Sequence, residues 1–438
     1  MVVIDWHTLP DLGAVALLTC AFGSVARRGH TSVSRLWLTG WLMIVLHFFA
    51  DMFSPAPGVW GVLASVVTLN TLVWAGLLFM WACVPYRKRP SSRWMMGSLV
   101  FANTLYISLI ATVPHPRWEV IGAAALFAVL PLAITLSTLR SFNHPLRWSL
   151  VLPNAALALF LLLFQSRTPD GPDLALNAVI FTVYFGCCIH FWYAWRRASA
   201  GPLVTIAGFF AWALVFVIAP FTDACWPNLH IENEVWNLPK YVVAVGMILL
   251  LLEEQIEHNK YLALHDELTG LPNRRLFHDR ITTALQRARR NRSRAALLLI
   301  DLDQFKQVND TVGHHVGDQL LQHVADIFRT RVRRSDTVAR TGGDEFAVIL
   351  EEPVSRRDAE LVSDSLIEYL KQPISLNQHT VTIGASVGIA IFPDDAATEE
   401  SLRIAADRNM YADKNASRRR EPVPDPAPRL HSSQPANN

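Results

Sequence analysis

Apolar and polar positions follow two different patterns along this chain of 438 residues. Up to Leu252, apolar stretches recur that are long enough to cross about 30 Å of hydrocarbon. From Asp266 onward, amphipathic helical patterns alternate with short apolar runs, which predicts an α/β domain. We therefore expect a polytopic membrane domain at residues 1–252, a connector at residues 253–265, an α/β domain at residues 266–420 and a disordered, Pro-rich tail at residues 421–438.

Nine membrane-spanning helices are predicted in the first domain. They lie near Leu9–Ala26, Leu36–Phe53, Val59–Pro85, Trp94–Val113, Val120–Leu139, Trp148–Gln165, Leu174–Trp195, Pro202–Phe221 and Leu238–Leu252. Alternate loops carry 11 basic residues on one side of the membrane and three on the other, the three being Arg117, Arg167 and Lys240. Because basic loops stay in the cytoplasm, the amino terminus is expected outside and the α/β domain in the cytoplasm.

The distribution of charge supports this division. The first 252 residues contain 14 Lys and Arg and 9 Asp and Glu, whereas the remaining 186 contain 25 and 28. This excludes a wholly soluble enzyme, a secreted disulfide scaffold and a fully disordered chain. The net charge of +2 gives no reason to expect nucleic-acid binding. All five cysteines lie in the membrane half, with Cys225 expected in an external loop.

Two features of the membrane half and the connector each have alternative interpretations. His47 and His190 lie inside predicted spans, where ionisable side chains are costly. The pair could ligate a haem or a metal, but hydrogen bonding between helices is the favoured alternative. After the last span, five residues recur at spacings of three and four, namely Leu249, Leu252, Ile256, Asn259 and Ala263. This indicates either a short coiled-coil seam or a plain amphipathic linker.

Carboxylates cluster at the ends of predicted strands in the α/β domain. The buried strand Ala295–Leu302 ends in Asp301 and Asp303, and a Gly-Gly-Asp turn with Asp344 joins two further strands, Thr337–Thr341 and Glu345–Leu350. A hairpin beside the first strand would bring Asp301 and Asp344 together. Such paired carboxylates suit Mg²⁺ bound to substrate phosphates. A Gly-Gly-Asp turn alone is typical of an ordinary polar hairpin.

The longer string around that turn is more specific. Gly342-Gly343-Asp344-Glu345-Phe346 contains the GGDEF signature of the diguanylate cyclases. Four other stretches also resemble motifs of that family, in the right order: His265–Arg275, Asp301–Asp318, Ser386–Ala390 and Ala406–Lys414. Residues from Asp266 to about Arg418 therefore resemble a GGDEF domain, with a palm-like fold of the nucleotidyl cyclase type.

The resemblance implies an enzyme that condenses two GTP molecules into cyclic di-GMP and two pyrophosphates. It implies that Asp301, the Leu302 carbonyl and Asp344 hold two Mg²⁺ ions, for which Mn²⁺ can substitute. The catalytic residues would be Asp344, Glu345 and Lys306, with Glu345 as the candidate that helps to deprotonate the ribose 3′-hydroxyl. The substrate-binding residues would be Asn309 and Asp318 at the guanine edge, Lys306, Lys414 and Arg418 at the triphosphate, and Gly342 and Gly343 in the turn.

The resemblance also implies regulation and assembly. Arg333 and Asp336 form an R-x-x-D motif, which in the family is an inhibitory site for cyclic di-GMP and elsewhere is usually a surface ion pair. Because each domain holds one GTP and the product joins two, catalysis requires a homodimer. The expected location is the bacterial inner membrane, with the bilayer as a partner and the cyclase domain in the cytoplasm.

The chain departs from the family pattern at three positions. Ser417 stands where the family often has Gly, and Asn409 and Asp413 stand where it usually has Ala, which we expect to affect only helix packing.

The Pro-rich tail is expected to leave no room for a phosphodiesterase domain. Two alternatives are a catalytically silent cyclic di-GMP receptor, disfavoured by the intact acidic residues, and a transporter with a regulatory domain, disfavoured by the scarcity of charge in the spans.

Overall fold

The computed structural model describes residues 4–29, 32–83, 90–112, 156, 171–195, 199–229, 231–351, 354–376 and 379–420. The chain divides into two compact units, Met1–Glu257 and His258–Asn438. The prediction of a helical membrane-type half followed by an α/β domain is confirmed.

All the regular secondary structure in the described residues of the first unit is helical. Its helices are α1 (Leu9–Gly29), α2 (Ser32–Asp51), α3 (Val59–Ala82), α4 (Pro90–Thr112), α5 (Gly171–Ala194), α6 (Ala200–Cys225) and α7 (Asn233–Leu264). Six of the described helices are long and apolar enough to cross a membrane: α1, α2, α3, α5, α6 and α7. They correspond to the first three and the last three of the nine predicted spans.

The other three predicted spans have different outcomes. The stretch Trp94–Val113 falls almost entirely in α4, whose shorter apolar part is Met96–Leu109. Val120–Leu139 and Trp148–Gln165 lie outside the described residues. The last span and the predicted connector form one continuous helix, α7, and the boundary between the two units falls inside it.

Large aromatic side chains fill the interior of the first unit. The ring centroids of Trp41 and Phe79 lie 5.4 Å apart, and those of Phe79 and Phe209 lie 5.7 Å apart, so contacts link α2, α3 and α6.

The two histidines inside predicted spans each have a backbone partner. His47 Nδ1 lies 2.9 Å from the Thr68 carbonyl oxygen, and His190 Nδ1 lies 2.8 Å from that of Gly186. His47 of α2 therefore bonds to α3, which supports hydrogen bonding between helices for this residue, whereas His190 bonds to a carbonyl of its own helix, α5.

One polar cluster is also buried in this unit. Asn237 Nδ2 donates to Asp11 Oδ2 at 2.5 Å, the Tyr241 hydroxyl donates to Asp11 Oδ1, and Lys240 Nζ donates to Asn237 Oδ1. Lys240 also lies over the Phe48 ring, 4.7 Å from its centroid. Charged groups are rarely buried unless they are paired. Lys240 was counted with the loops, although it falls at the start of the predicted span Leu238–Leu252, and it is a buried residue of α7.

The second unit is built on a four-stranded antiparallel sheet in the order β2-β3-β1-β6. The strands are β1 (Ala295–Asp303), β2 (Thr337–Gly342), β3 (Glu345–Leu350) and β6 (Gly384–Phe392), and β4 (Ile374–Leu376) and β5 (His379–Val381) form a separate hairpin. The helices are α8 (Arg274–Asn291), α9 (Phe305–Val312), α10 (His314–Arg331), α11 (Arg356–Leu370) and α12 (Glu399–Arg420).

Strand β1 is buried on both faces, which explains its nearly continuous apolar sequence. Leu298 and Ile300 belong to a core with residues of α10 and α11. Leu297, on the opposite face, belongs to a second core with residues of α8 and α12. The sheet therefore lies between two helical layers, and only the end of β1, where the apolar run stops, is left for polar chemistry.

Candidate active site

The carboxylates predicted from the sequence lie at one end of the central strands. In the antiparallel register, Asp301 of β1 is opposite Glu345 of β3. The Leu302 backbone N–H donates to the Asp344 carbonyl oxygen at 3.2 Å, which holds the β2–β3 turn against the end of β1. Asp301, Leu302, Asp344 and Glu345 are therefore neighbours.

This end of the sheet carries an excess of negative charge. Partial burial raises the pKa of Glu345 above its ordinary value, and the nearby carboxylates of Asp301 and Asp344 raise it further. Burial likewise raises the pKa of Asp303, whose Oδ1 accepts a hydrogen bond from Ser386 Oγ at 2.7 Å. Negative charge that is costly in the free protein favours a cation at this position.

Lys414 is the cation that contacts the cluster. Its Nζ lies 2.5 Å from Asp301 Oδ1, and both side chains are largely buried. The described residues contain no group of three or more His, Cys, Asp or Glu side chains arranged for a metal. The residues implied as ligands offer the carboxylates of Asp301 and Asp344 and the Leu302 backbone oxygen, a set that suits Mg²⁺ when substrate phosphates and water supply the other ligands.

A second part of the site lies on α9 and α10. Asn309 Oδ1 is buried and has no hydrogen-bond partner among the described residues. A Cβ atom on Gly317 would lie only 1.8 Å from that oxygen, so any other residue there would force the Asn309 side chain to move. A buried polar atom without a partner is costly, and a ligand group would relieve that cost. Lys306 and Asp318 are exposed on the same two helices.

The β2–β3 turn is held by Arg340, a residue that was not predicted to belong to the site. Arg340 donates through Nε and Nη2 to the Gly343 carbonyl oxygen, at 2.9 and 2.7 Å, and through Nη1 to Asp266 Oδ1 at 2.8 Å. Thr269 also donates to Asp266 Oδ1, from its backbone N–H and its hydroxyl. Asp266 lies within the recognised stretch His265–Arg275, and Arg340 lies two residues before Gly342, which was the available signal.

The R-x-x-D pair lies at the other end of β3. Asp336 accepts hydrogen bonds from the backbone N–H groups of Arg333 and Glu351, each at 3.1 Å. A cavity of about 200 Å³ is lined by Arg331, Arg333, Asp336 and Asp358 among other residues. The R-x-x-D pair and this cavity are thus separate from the carboxylates beside Asp301. Arg418 belongs to α12, and its side chain lies outside the described residues.

Comparisons with known proteins agree on the second unit. Residues 263–420 match the family described as diguanylate cyclase, GGDEF domain. The chain is 42% identical over 194 residues to the bifunctional diguanylate cyclase/cyclic di-GMP phosphodiesterase MucR of Pseudomonas aeruginosa, covering 40% of this chain and 28% of MucR. It is 43% identical over 157 residues to the diguanylate cyclase TpbB of the same species, covering 36% of each chain.

A solved structure matches the same region. It is an amino-terminally truncated TpbB comprising only the GGDEF domain, 43% identical to this chain, with a TM-score of 0.34 and coverage of 35% of this chain and 89% of that one. The chain spans only 28% and 36% of the lengths of the two curated relatives. The similarity therefore concerns one domain.

Proposed function

We propose that this chain, whose residues 263–420 form a GGDEF domain, is a membrane-bound diguanylate cyclase that converts two GTP molecules into cyclic di-GMP and two pyrophosphates. The observation that carries the proposal is the acidic cluster formed by Asp301, Asp344 and Glu345 at the end of β1. A domain that only bound nucleotide would not need this concentration of negative charge.

The residues divide the work of the reaction. Asp301, the Leu302 carbonyl and Asp344 would hold two Mg²⁺ ions, or Mn²⁺ in their place, which when bound activate the attacking hydroxyl and neutralise the leaving pyrophosphate. Glu345, with its raised pKa, is suited to accept the proton of the 3′-hydroxyl. The hydroxyl oxygen of one GTP bonds to the α-phosphorus of the other, and pyrophosphate leaves.

Substrate binding falls to neighbouring residues. Asn309 and Asp318 would hydrogen-bond to the guanine edge, and the unpartnered Asn309 Oδ1 supports that role. Lys306, Lys414 and Arg418 would offset charge on the triphosphate. Gly342 and Gly343 would let the backbone of the turn approach the nucleotide, since neither has a side chain.

Catalysis would require a homodimer, because the product joins two nucleotides and each domain would bind one. The proposed seam on α7 supports this. Ile256 is 52% exposed and Leu252 38% exposed, although both are apolar. A second copy of the chain would cover them.

Location and regulation follow from the first unit and from the R-x-x-D pair. The six long apolar helices support a multi-pass protein of the bacterial inner membrane, with the domains bounded as the sequence predicts and the cyclase domain in the cytoplasm. Arg333 and Asp336, beside the 200 Å³ cavity, would bind cyclic di-GMP and inhibit the enzyme.

The decisive experiment supplies GTP and Mg²⁺ to the full-length chain in nanodiscs and detects cyclic di-GMP and pyrophosphate by mass spectrometry. We expect product from the parent and from Asp364→Ala, which removes an exposed carboxylate of α11, and none from Asp344→Asn. Absence of product from the parent, together with binding of cyclic di-GMP that Arg333→Ala abolishes, would instead support a silent receptor.

A further inference from the structure

Helix α12 is attached to the free edge of the sheet by two polar side chains. Strand β6 pairs with β1 and lies at the sheet edge, so its outward-facing backbone groups have no partner among the described strands. The Val387 N–H donates to Asp413 Oδ2 at 3.1 Å. Asn409 Nδ2 donates to the Ile389 carbonyl oxygen at 2.8 Å. The helix therefore satisfies one donor and one acceptor that the strand leaves open.

The spacing of these contacts fixes the register between helix and strand. Asn409 and Asp413 are four residues apart and share one face of α12. Four helical residues advance about 6 Å, and the two strand residues from Val387 to Ile389 advance about 6.7 Å, so the two repeats nearly match. A shift of the helix by one residue along the strand would break both hydrogen bonds.

A glycine between the two bonded strand residues allows this close approach. A Cβ atom on Gly388 would lie 1.9 Å from the Ala406 carbonyl oxygen and 2.4 Å from the Met410 nitrogen. The backbone of α12 therefore rests directly on β6, and the side chains of Asn409 and Asp413 reach the strand on either side of that contact.

The residue after Asp413 is Lys414, whose Nζ lies 2.5 Å from Asp301 Oδ1. A lysine side chain is long and flexible, so its reach depends on where its Cα is held. We propose that Asn409 and Asp413 are positioning residues, which hold α12 in register on β6 and so place the Lys414 ammonium beside Asp301. This rests on the proposed cyclase function, in which Lys414 binds the triphosphate.

Asn409 and Asp413 stand where the family usually has Ala, and helix packing was the expected consequence. In the structure both side chains bond to backbone atoms of the strand that pairs with Asp301, since Asp301 is opposite Ser386. Their effect should therefore reach the catalytic step.

The test measures kcat and KM for GTP in the full-length chain in nanodiscs. Asn409→Ala and Asp413→Ala should each lower kcat/KM about tenfold, as expected when a catalytic group is misplaced by a fraction of an ångström to an ångström. Asp413→Asn retains an oxygen acceptor for the Val387 N–H and should recover most of that loss. Asp364→Ala is the control for removing a carboxylate. Parental kcat/KM in both alanine variants would overturn the proposal.

A second measurement does not depend on turnover. The rate at which an amine-reactive ester labels Lys414, followed by peptide mass spectrometry, should rise several-fold in Asn409→Ala and Asp413→Ala and stay unchanged in Asp364→Ala. If the parent makes no product, the proposed function fails, and this labelling still decides the positioning role. Unchanged labelling of Lys414 in both variants would contradict it.

Discussion

Gly317 is the residue on which the position of Asn309 depends. Alanine there would bring its Cβ to within 1.8 Å of Asn309 Oδ1, so the Asn309 side chain must move. If this oxygen meets the guanine edge, Gly317→Ala should raise KM for GTP about tenfold, because a site built to hydrogen-bond a base loses that bond. Steady-state kinetics check this. Gly97→Ala, in open space on α4, should behave as the parent.

Arg340 shows why charge alone is insufficient at the turn. Its guanidinium makes two hydrogen bonds to the Gly343 carbonyl and one to Asp266, a geometry that a lysine ammonium cannot reproduce. We expect Arg340→Lys to lower kcat about tenfold, because Asp344 and Glu345 follow the loosened turn. Arg329→Lys, at an exposed pair with Asp326, is the matched control. Parental kcat in Arg340→Lys would show that the turn needs no such support.

The pairing of Asp266 should also appear in the pH dependence of stability. Burial, the largest influence, acts to raise the pKa of Asp266, but hydrogen bonds from Thr269 and Arg340 outweigh it, so the pKa lies below the ordinary 3.8. A lowered folded-state pKa stabilises the protein above the unfolded-state pKa, and that stability is lost as pH falls through the folded-state value.

We expect Asp266→Asn to unfold at a lower temperature than the parent, and this difference should be largest near pH 7. It should shrink as pH falls below about 4. Calorimetry is the suitable measurement, because all 14 Trp residues lie within the first 236 positions and Trp fluorescence does not report on this domain. A difference that does not change with pH would mean that the Asp266 carboxylate is not stabilised by folding.

At the scale of elements, the sequence predicted long apolar segments better than short polar ones. Strand β1 was predicted at nearly its observed bounds, because both of its faces are buried and its apolar run is continuous. Helix α9 was not predicted, because it has only eight residues and only one of them, Phe305, is buried. Strand β5 ends at Val381 and β6 begins at Gly384, a break that the mostly apolar sequence between Val381 and Phe392 does not reveal.

The close packing of α12 on β6 predicts that a larger residue at Gly388 destabilises the domain. Gly388→Ala would place a Cβ atom 1.9 Å from a backbone oxygen, which side-chain rotation cannot relieve. Overpacking of this kind costs about 1–3 kcal/mol, so the free energy of unfolding of the GGDEF domain should fall by that amount. Calorimetry of the full-length chain measures it, with Gly97→Ala again as the control. An unchanged transition would mean that α12 can move away without cost.

For the chain as a whole, the sequence predicted which carboxylates come together more completely than it predicted the contacts around them. The motif named Asp301, Asp344 and Glu345, and the antiparallel register brings them together. The bonds of Arg340, Asn409 and Asp413 to backbone atoms could not be predicted, because they depend on which carbonyls and N–H groups the fold leaves open. The burial of Lys240 could not be predicted for a similar reason, since its amide partner Asn237 is in turn bonded to Asp11 from a distant part of the chain.

The orientation of the whole chain is tested with cysteine labelling. Cys225 is exposed at the end of α6, and the positive-inside rule puts this end outside the cytoplasm. In a chain without the other four cysteines, a membrane-impermeant maleimide should label Cys225 in intact cells and should not label Cys225→Ala. Gln286→Cys, at an exposed position of α8 in that Cys225→Ala background, should react only after the inner membrane is opened. The reverse pattern would place the cyclase domain outside, where it would have no GTP.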